Sequence, residues 1–180
     1  MSSVKKNLRQ EVLTQMKAIP ADKKNKVDHL LMKAFLAHPF YQKSQVLATY
    51  LAMSHEAQTQ ALIEHALADG KTVLIPKTYP KGRMIFVPYD SDNLRRTSFG
   101  LLEPVSDQAI DPSVIDLIHV PGVVYNKQGF RIGYGAGYYD RYLSDFDGHT
   151  LSTAYTCQKG EFTPDFYDQA VEEVIYAEND

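Results

Sequence analysis

Residues 45–76 read QVLATYLAMSHEAQTQALIEHALADGKTVLIP, and the order of their apolar runs decides the fold. QVLATYL at 45–51 is apolar with few interruptions, the pattern of a strand buried on both faces. Leu62, Ile63, Ala66 and Leu67 then recur at helical spacing, so residues 56–68 predict an amphipathic helix stopped by Gly70. KTVLIP at 71–76 reads as a second buried strand. Strand, helix and strand within about thirty residues is the size of a right-handed βαβ unit.

The pattern continues in both directions. Upstream, Leu8, Val12, Met16 and Ile19 predict a helix over 3–18 that Pro20 ends, and Asp22 caps a second helix with Val27, Leu30, Leu31, Ala34 and Phe35 inward. His38-Pro39 closes it. Downstream, RMIFVP (83–88), LIHV (117–120), LSTAY (151–155) and VIY (174–176) predict further strands. Residues 91–111 are polar and irregular, apart from FGLLEP at 99–104. Alternating strands and helices imply an α/β fold with a mainly parallel sheet and helices on both faces. With no internal repeat and no long linker, one domain over residues 1–180 is expected.

Charge and cysteine usage narrow the chemistry. A net charge of -3 offers no basic field for nucleic acid or an acidic membrane. Cys157 is the only cysteine, which rules out an intramolecular disulfide framework and a cysteine-based zinc site. No apolar run approaches the ~18 residues of a membrane span, and no signal peptide is evident, so a cytoplasmic location is expected.

The stretch PGVVYNKQGFRIGYGAGYYDRYL at 121–143 carries the chemistry. Gly129, Gly133, Gly135 and Gly137 lie between a strand and a helix expected at 138–145. Glycines at such a junction let consecutive N–H groups converge on one anion, ahead of the positive end of a helix. Arg131 and Arg141 bracket the loop, and Asp140 can hold a cation near bound phosphates. The spacing is neither a P-loop nor a dinucleotide fingerprint, and by itself it also suits a plain tight turn.

RIGYGAGYYDRYL, preceded by VPGVVYN, resembles the signature of the 5-formyltetrahydrofolate cyclo-ligase (methenyltetrahydrofolate synthetase) family. The resemblance extends to KKNLR at 5–9, LAMSHE at 51–56, FGLLEP at 99–104 and a tail running from Asp168 to Val174-Ile175. It implies a Rossmann-like three-layer fold, related to those of sugar-phosphate isomerases and CoA-transferases. It also implies conversion of 5-formyltetrahydrofolate to 5,10-methenyltetrahydrofolate at the expense of Mg-ATP, by a monomer.

Carried over residue by residue, the resemblance assigns ATP to Lys5, Lys6, Arg9, Arg131, Ile132, Gly133, Tyr134, Gly135, Ala136, Gly137, Tyr138 and Tyr139. It assigns the folate to Leu51, Glu56, Tyr134, Gly135, Gly137 and Tyr138. Asp140 is the implied magnesium ligand with Glu172 as a second, and Arg131, Tyr138 and Asp140 are the implied catalytic groups. A carboxylate such as Glu56 suits the amino-pyrimidine edge of a pterin. His55 beside it is read as a bystander. Lys77, Lys81, Arg95 and Arg96 are candidates for the anionic folate tail.

The sequence departs from the family pattern at Tyr134, where many relatives carry arginine, at Ala136, and at Asn126, where aspartate is common. Two rival readings remain at this level: a sugar-phosphate isomerase of similar topology, and a binding protein that has kept the pocket without turnover.

Overall fold

The computed structural model describes residues 2–98 and 100–177. Its elements in chain order are helices α1 (Ser3–Lys17), α2 (Ala21–Ala37) and α3 (Pro39–Lys43), then strand β1 (Val46–Ala48), α4 (Gln60–Ala68), β2 (Thr72–Thr78) and β3 (Met84–Pro88). Strands β4 (Leu94–Arg96), β5 (Leu102–Pro104), β6 (Leu117–His119), β7 (Val124–Tyr125) and β8 (Arg131–Ile132) follow, then α5 (Tyr138–Leu143), β9 (His149–Ala154) and β10 (Glu173–Tyr176).

Local chemistry sets the helix ends. The Ser2 hydroxyl caps α1 by accepting from the Lys5 N–H at 3.2 Å. Pro20 rather than Asp22 is the N-cap of α2, and Asp22 sits in its first turn, where a negative charge suits the helix dipole. His38 ends α2 in extended conformation, as a residue before proline must, and its ring accepts from Phe40 N–H to open α3.

Six strands form one sheet in the order β10-β9-β6-β1-β2-β3, every pairing parallel except β2 with β3. Neighbouring residues on each strand face opposite ways. Leu47, Val73 and Leu117 join α1, α2 and α4 in one apolar cluster, while Ala48, Leu74 and Ile118 pack with Tyr138, Tyr139, Tyr142 and Leu143 of α5 in another. The expected sheet with helices on both faces is what these residues build. Among the described residues no helix is long and apolar enough to cross a membrane.

Three local expectations differ from the outcome. β1 stops at Ala48 and α4 starts at Gln60, leaving residues 49–59 as a turn where strand and helix were expected. Side chains hold that turn: the Thr59 hydroxyl donates to Tyr50 O at 2.6 Å and accepts from Ala52 N–H, and the Glu56 carboxylate accepts from Met53 N–H at 2.9 Å. Inside the polar stretch, β4 pairs antiparallel with β5; Phe99 of the FGLLEP motif lies outside the described residues. The glycine-rich region is entered through a second small hairpin, β7 with β8.

Topology then places the site. From β1 the chain runs to β2 in one direction, whereas β6, β9 and β10 extend the sheet in the other. The switch point lies between β1 and β6, and open α/β sheets bind ligands outside the carboxyl ends of strands at such a point. The Glu56 turn follows β1, and the hairpin leading to the glycine loop follows β6. Between them the His119 ring is sealed by Thr49 and Thr153, each at 2.9 Å, and burial lowers its pKa to about 3, so it is a neutral structural group.

Candidate active site

A cavity of about 250 Å³ opens at this edge, lined by Lys5, Arg131, residues 132–140, Asp165 and Asp168 among others. β8 delivers Arg131, whose side chain is buried and fixed on three sides. Its Nε donates to Pro121 O at 3.2 Å, and Nη1 donates to Gln169 O at 3.1 Å and to Asp140 Oδ1 at 3.3 Å. The guanidinium also lies over the Tyr139 ring, 5.7 Å from its centroid.

α1 brings Lys5 and Arg9 to the same place, one helical turn apart. Lys5 Nζ contacts Asp165 at 3.0 Å and Asp168 at 3.5 Å. Burial works against its charge, but the two carboxylates together prevail and raise its pKa above the ordinary lysine value. Arg9 differs: its Nη1 is buried and has no hydrogen-bond partner. That nitrogen would stand 3.3 Å from a Cβ added at Gly135, which has φ +112°. A donor left unsatisfied there costs about 1–3 kcal/mol unless a ligand takes it. Gly137 caps α5 at φ +72°, and a Cβ there would press on Arg141 Nη1. α5 has only six residues, so the backbone N–H groups of the loop matter more than a helix dipole.

Glu56 sits beside the loop with 5% of its surface exposed. Oε1 accepts from Met53 N–H at 2.9 Å and Oε2 from the Tyr134 hydroxyl at 3.2 Å. Burial raises its pKa above the ordinary glutamate value, partly opposed by those two hydrogen bonds. Tyr138 anchors its hydroxyl on Tyr79 O at 3.2 Å, tying the loop to the β2–β3 turn. Leu51 is half-buried against the helix-side core.

Most of the residues expected from sequence therefore meet: Lys5, Arg9, Arg131, the loop 132–137, Tyr138, Tyr139, Asp140 and Glu56. Others stand apart. Lys6 is exposed and does not line the cavity. Glu172 does not join Asp140: it accepts from His149 Nδ1 at 2.9 Å and borders a separate surface cavity with Lys127, Lys159 and Tyr176. Among the described residues no cluster of three or more His, Cys, Asp or Glu side chains is placed to hold a metal. Of the groups suggested for an anionic tail, Lys77 is buried against Val105 O, Ser106 O and Asp107, Arg95 is paired with Glu103, and Arg96 donates to Gly100 O.

Asp165 carries no sequence signal, and Asp168 enters only as the start of the matching tail with no site role; both lie in an irregular segment. His55, read from the sequence as a bystander, instead places its Nε2 2.9 Å from the Tyr134 hydroxyl.

Fold and site together define a mostly parallel α/β protein whose switch point holds a glycine loop flanked by Lys5, Arg9 and Arg131, beside the buried carboxylate of Glu56. Residues 1–177 match the family model described as the 5-formyltetrahydrofolate cyclo-ligase family. The chain is 30% identical to the mouse 5-formyltetrahydrofolate cyclo-ligase, over 99% of its own length and 96% of the relative. It superposes on the 5,10-methenyltetrahydrofolate synthetase structure of Aquifex aeolicus with a TM-score of 0.84 at 26% identity, covering 98% of this chain and 91% of that one. The corresponding structure from Mycoplasma pneumoniae gives 0.78 at 25% identity, covering 95% and 97%. The chain belongs to the 5-formyltetrahydrofolate cyclo-ligase family.

Proposed function

We propose that this chain is an ATP-dependent 5-formyltetrahydrofolate cyclo-ligase, acting through one domain as a cytoplasmic monomer with no nucleic-acid or membrane partner. The observation that carries the reading is the unsatisfied Arg9 nitrogen facing Gly135, in a loop whose cavity Lys5 and Arg131 also line and whose Tyr134 reaches Glu56. One short loop thus touches both a phosphate-type cradle and a pterin-type acceptor.

In this reading Glu56 accepts hydrogen bonds from the amino-pyrimidine edge, and Leu51 walls the pterin. Arg9, Arg131, Lys5 and the N–H groups of residues 133–137 hold the polyphosphate. The formyl oxygen attacks the γ-phosphorus of ATP as the β,γ-bridging P–O bond breaks, giving an imidate-type phosphate and ADP. N10 then attacks the activated carbon and gives up its proton to solvent, and inorganic phosphate leaves as the C–O bond breaks and the ring closes. The chain supplies alignment and charge neutralisation and needs no covalent nucleophile.

Asp140 would be the residue to hold a magnesium ion at this site. Its contacts with Arg131 and Gln169 both fall on Oδ1, so Oδ2 is the oxygen available to a cation. Lys5, Arg9 and Arg131 are set against as many carboxylates (Asp140, Asp165 and Asp168), so the extra charge of a polyphosphate calls for a divalent cation. When bound, that ion supplies charge stabilisation on the transferred phosphoryl group.

Substrate carrying ¹⁸O in its formyl group tests the route. The proposal expects the label in inorganic phosphate, released one for one with the methenyl product. Product formed with unlabelled phosphate would overturn it.

A further inference from the structure

Tyr134 lies between Gly133 and Gly135 in the loop, and its side chain reaches two residues of the turn after β1. Its Oη lies 3.2 Å from Glu56 Oε2 and 2.9 Å from His55 Nε2, with the two rings edge-on at 6.1 Å. A tyrosine has one hydroxyl proton and a carboxylate can only accept, so that proton points to Glu56. His55 Nε2–H then donates to the tyrosine oxygen, which assigns the imidazole tautomer. Burial, with Lys17 and Lys24 nearby, lowers the pKa of His55 below its ordinary value, so the ring is neutral at pH 7. Burial and the field of Glu56 raise that of Tyr134, so its proton stays.

The result is a directed relay from His55 through Tyr134 to Glu56. At one end Glu56 belongs to a turn fixed by Met53, Thr59 and the bond from Gln58 N–H to Asp28. At the other, the Tyr134 backbone separates Gly133 from Gly135, the residue against which the unpartnered Arg9 nitrogen lies. Glycines on both sides leave the loop few means of holding its own shape. Among the described residues, the Tyr134 hydroxyl makes the side-chain hydrogen bonds that tie the loop to the Glu56 turn.

We infer that Tyr134, oriented by His55, is a coupling residue. Its hydroxyl links the pterin acceptor Glu56 to the phosphate cradle, so that folate and nucleotide each strengthen the binding of the other. The inference rests on the assignment of Glu56 to the pterin and of the loop to the phosphates. A carboxylate oxygen has two lone-pair sites, so Glu56 can take a pterin amino group and keep Tyr134. Fixing Glu56 then fixes the loop, and the second ligand meets a cradle already ordered. Coupling of this kind is reciprocal.

Calorimetric titration with Mg²⁺ and a non-hydrolysable ATP analogue, with and without saturating 5-formyltetrahydrofolate, reads the coupling. The wild-type protein is expected to bind the analogue about 5-fold or more tightly when folate is present. In Tyr134→Phe that ratio should fall to about 1. His55→Ala, which keeps the tyrosine, should lower it part of the way, and His55→Gln, which restores a donor, should recover it. If both ligands bind but the wild-type ratio is about 1, or if Tyr134→Phe keeps the wild-type ratio, the coupling is overturned and the site assignment stands. If folate does not bind the wild-type protein, the site assignment fails and takes the coupling with it.

Discussion

The Glu56 turn and the glycine loop flank the same switch point and are built on opposite plans. The turn is over-determined: its carboxylate is buried with both oxygens occupied, Thr59 bonds two backbone groups, and Asp28 receives Gln58. The loop is left incomplete. Tyr134 is 46% exposed, Gly135 and Gly137 hold positive φ, and the nearby Arg9 nitrogen has no partner. A rigid acceptor suits a neutral, planar ring system that must be placed accurately. An unfinished set of donors suits a highly charged, flexible phosphate chain whose binding completes it.

The sharpest way to break this contrast is Asp140→Ala, which removes the partner of Arg131 and the nearest carboxylate for a cation. Turnover should fall by about 10²–10³-fold, measured as the rate of methenyl product formation at saturating substrates. Retention of activity would detach the loop from the chemistry.

Glu56→Gln tests the turn. Loss of charge-assisted hydrogen bonds to the pterin should lower kcat/KM for the folate by about 10–100-fold. Stability should move the other way. Burial raises the pKa of Glu56 above 4.5, so the folded state keeps that proton to higher pH than the unfolded state. Glu56 therefore makes stability fall as pH rises from the unfolded value through the raised folded one. Denaturant titrations across that window should show the slope in wild type and not in Glu56→Gln, whose midpoint at neutral pH should be no lower.

Arg9→Met addresses the unfinished donor. KM for ATP should rise by about 10-fold, while the thermal midpoint stays level or rises because an unsatisfied buried nitrogen has gone. The smallest effect belongs to the neighbouring lysine. Lys6→Ala should change KM for ATP by less than about 2-fold, since an exposed side chain outside the cavity has little to lose. A Lys6 effect equal to that of Arg9 would mean that the phosphate chain runs along a different face of α1.

The two regions were also unequally legible. The glycine loop announced itself, because glycines at alternate positions between a strand and a helix constrain the backbone whatever surrounds them. The parallel sheet followed from apolar runs of strand length, and all six of its strands were anticipated. Local propensity predicts a helix start at Glu56, because it cannot foresee a carboxylate folding back on Met53. β7 and β8 have two residues each and exist only through mutual pairing. The contact between Lys5 and Asp165 spans 160 residues, a separation at which periodicity says nothing. Lys6, Arg9, Leu51, Glu56 and Glu172 rest on motif resemblance; Arg9 and Glu56 touch the glycine loop, whereas Lys6, Leu51 and Glu172 do not line the cavity.

If one loop brings phosphate and formyl oxygen together for reaction, the near-ultraviolet absorbance of the methenyl product reports it. Purified protein mixed with 5-formyltetrahydrofolate should show no growth of that band until Mg-ATP is added, and then steady growth with ADP released in equal amount. Binding of both ligands with no growth of the band would contradict the account and leave a protein that holds the substrates without joining them.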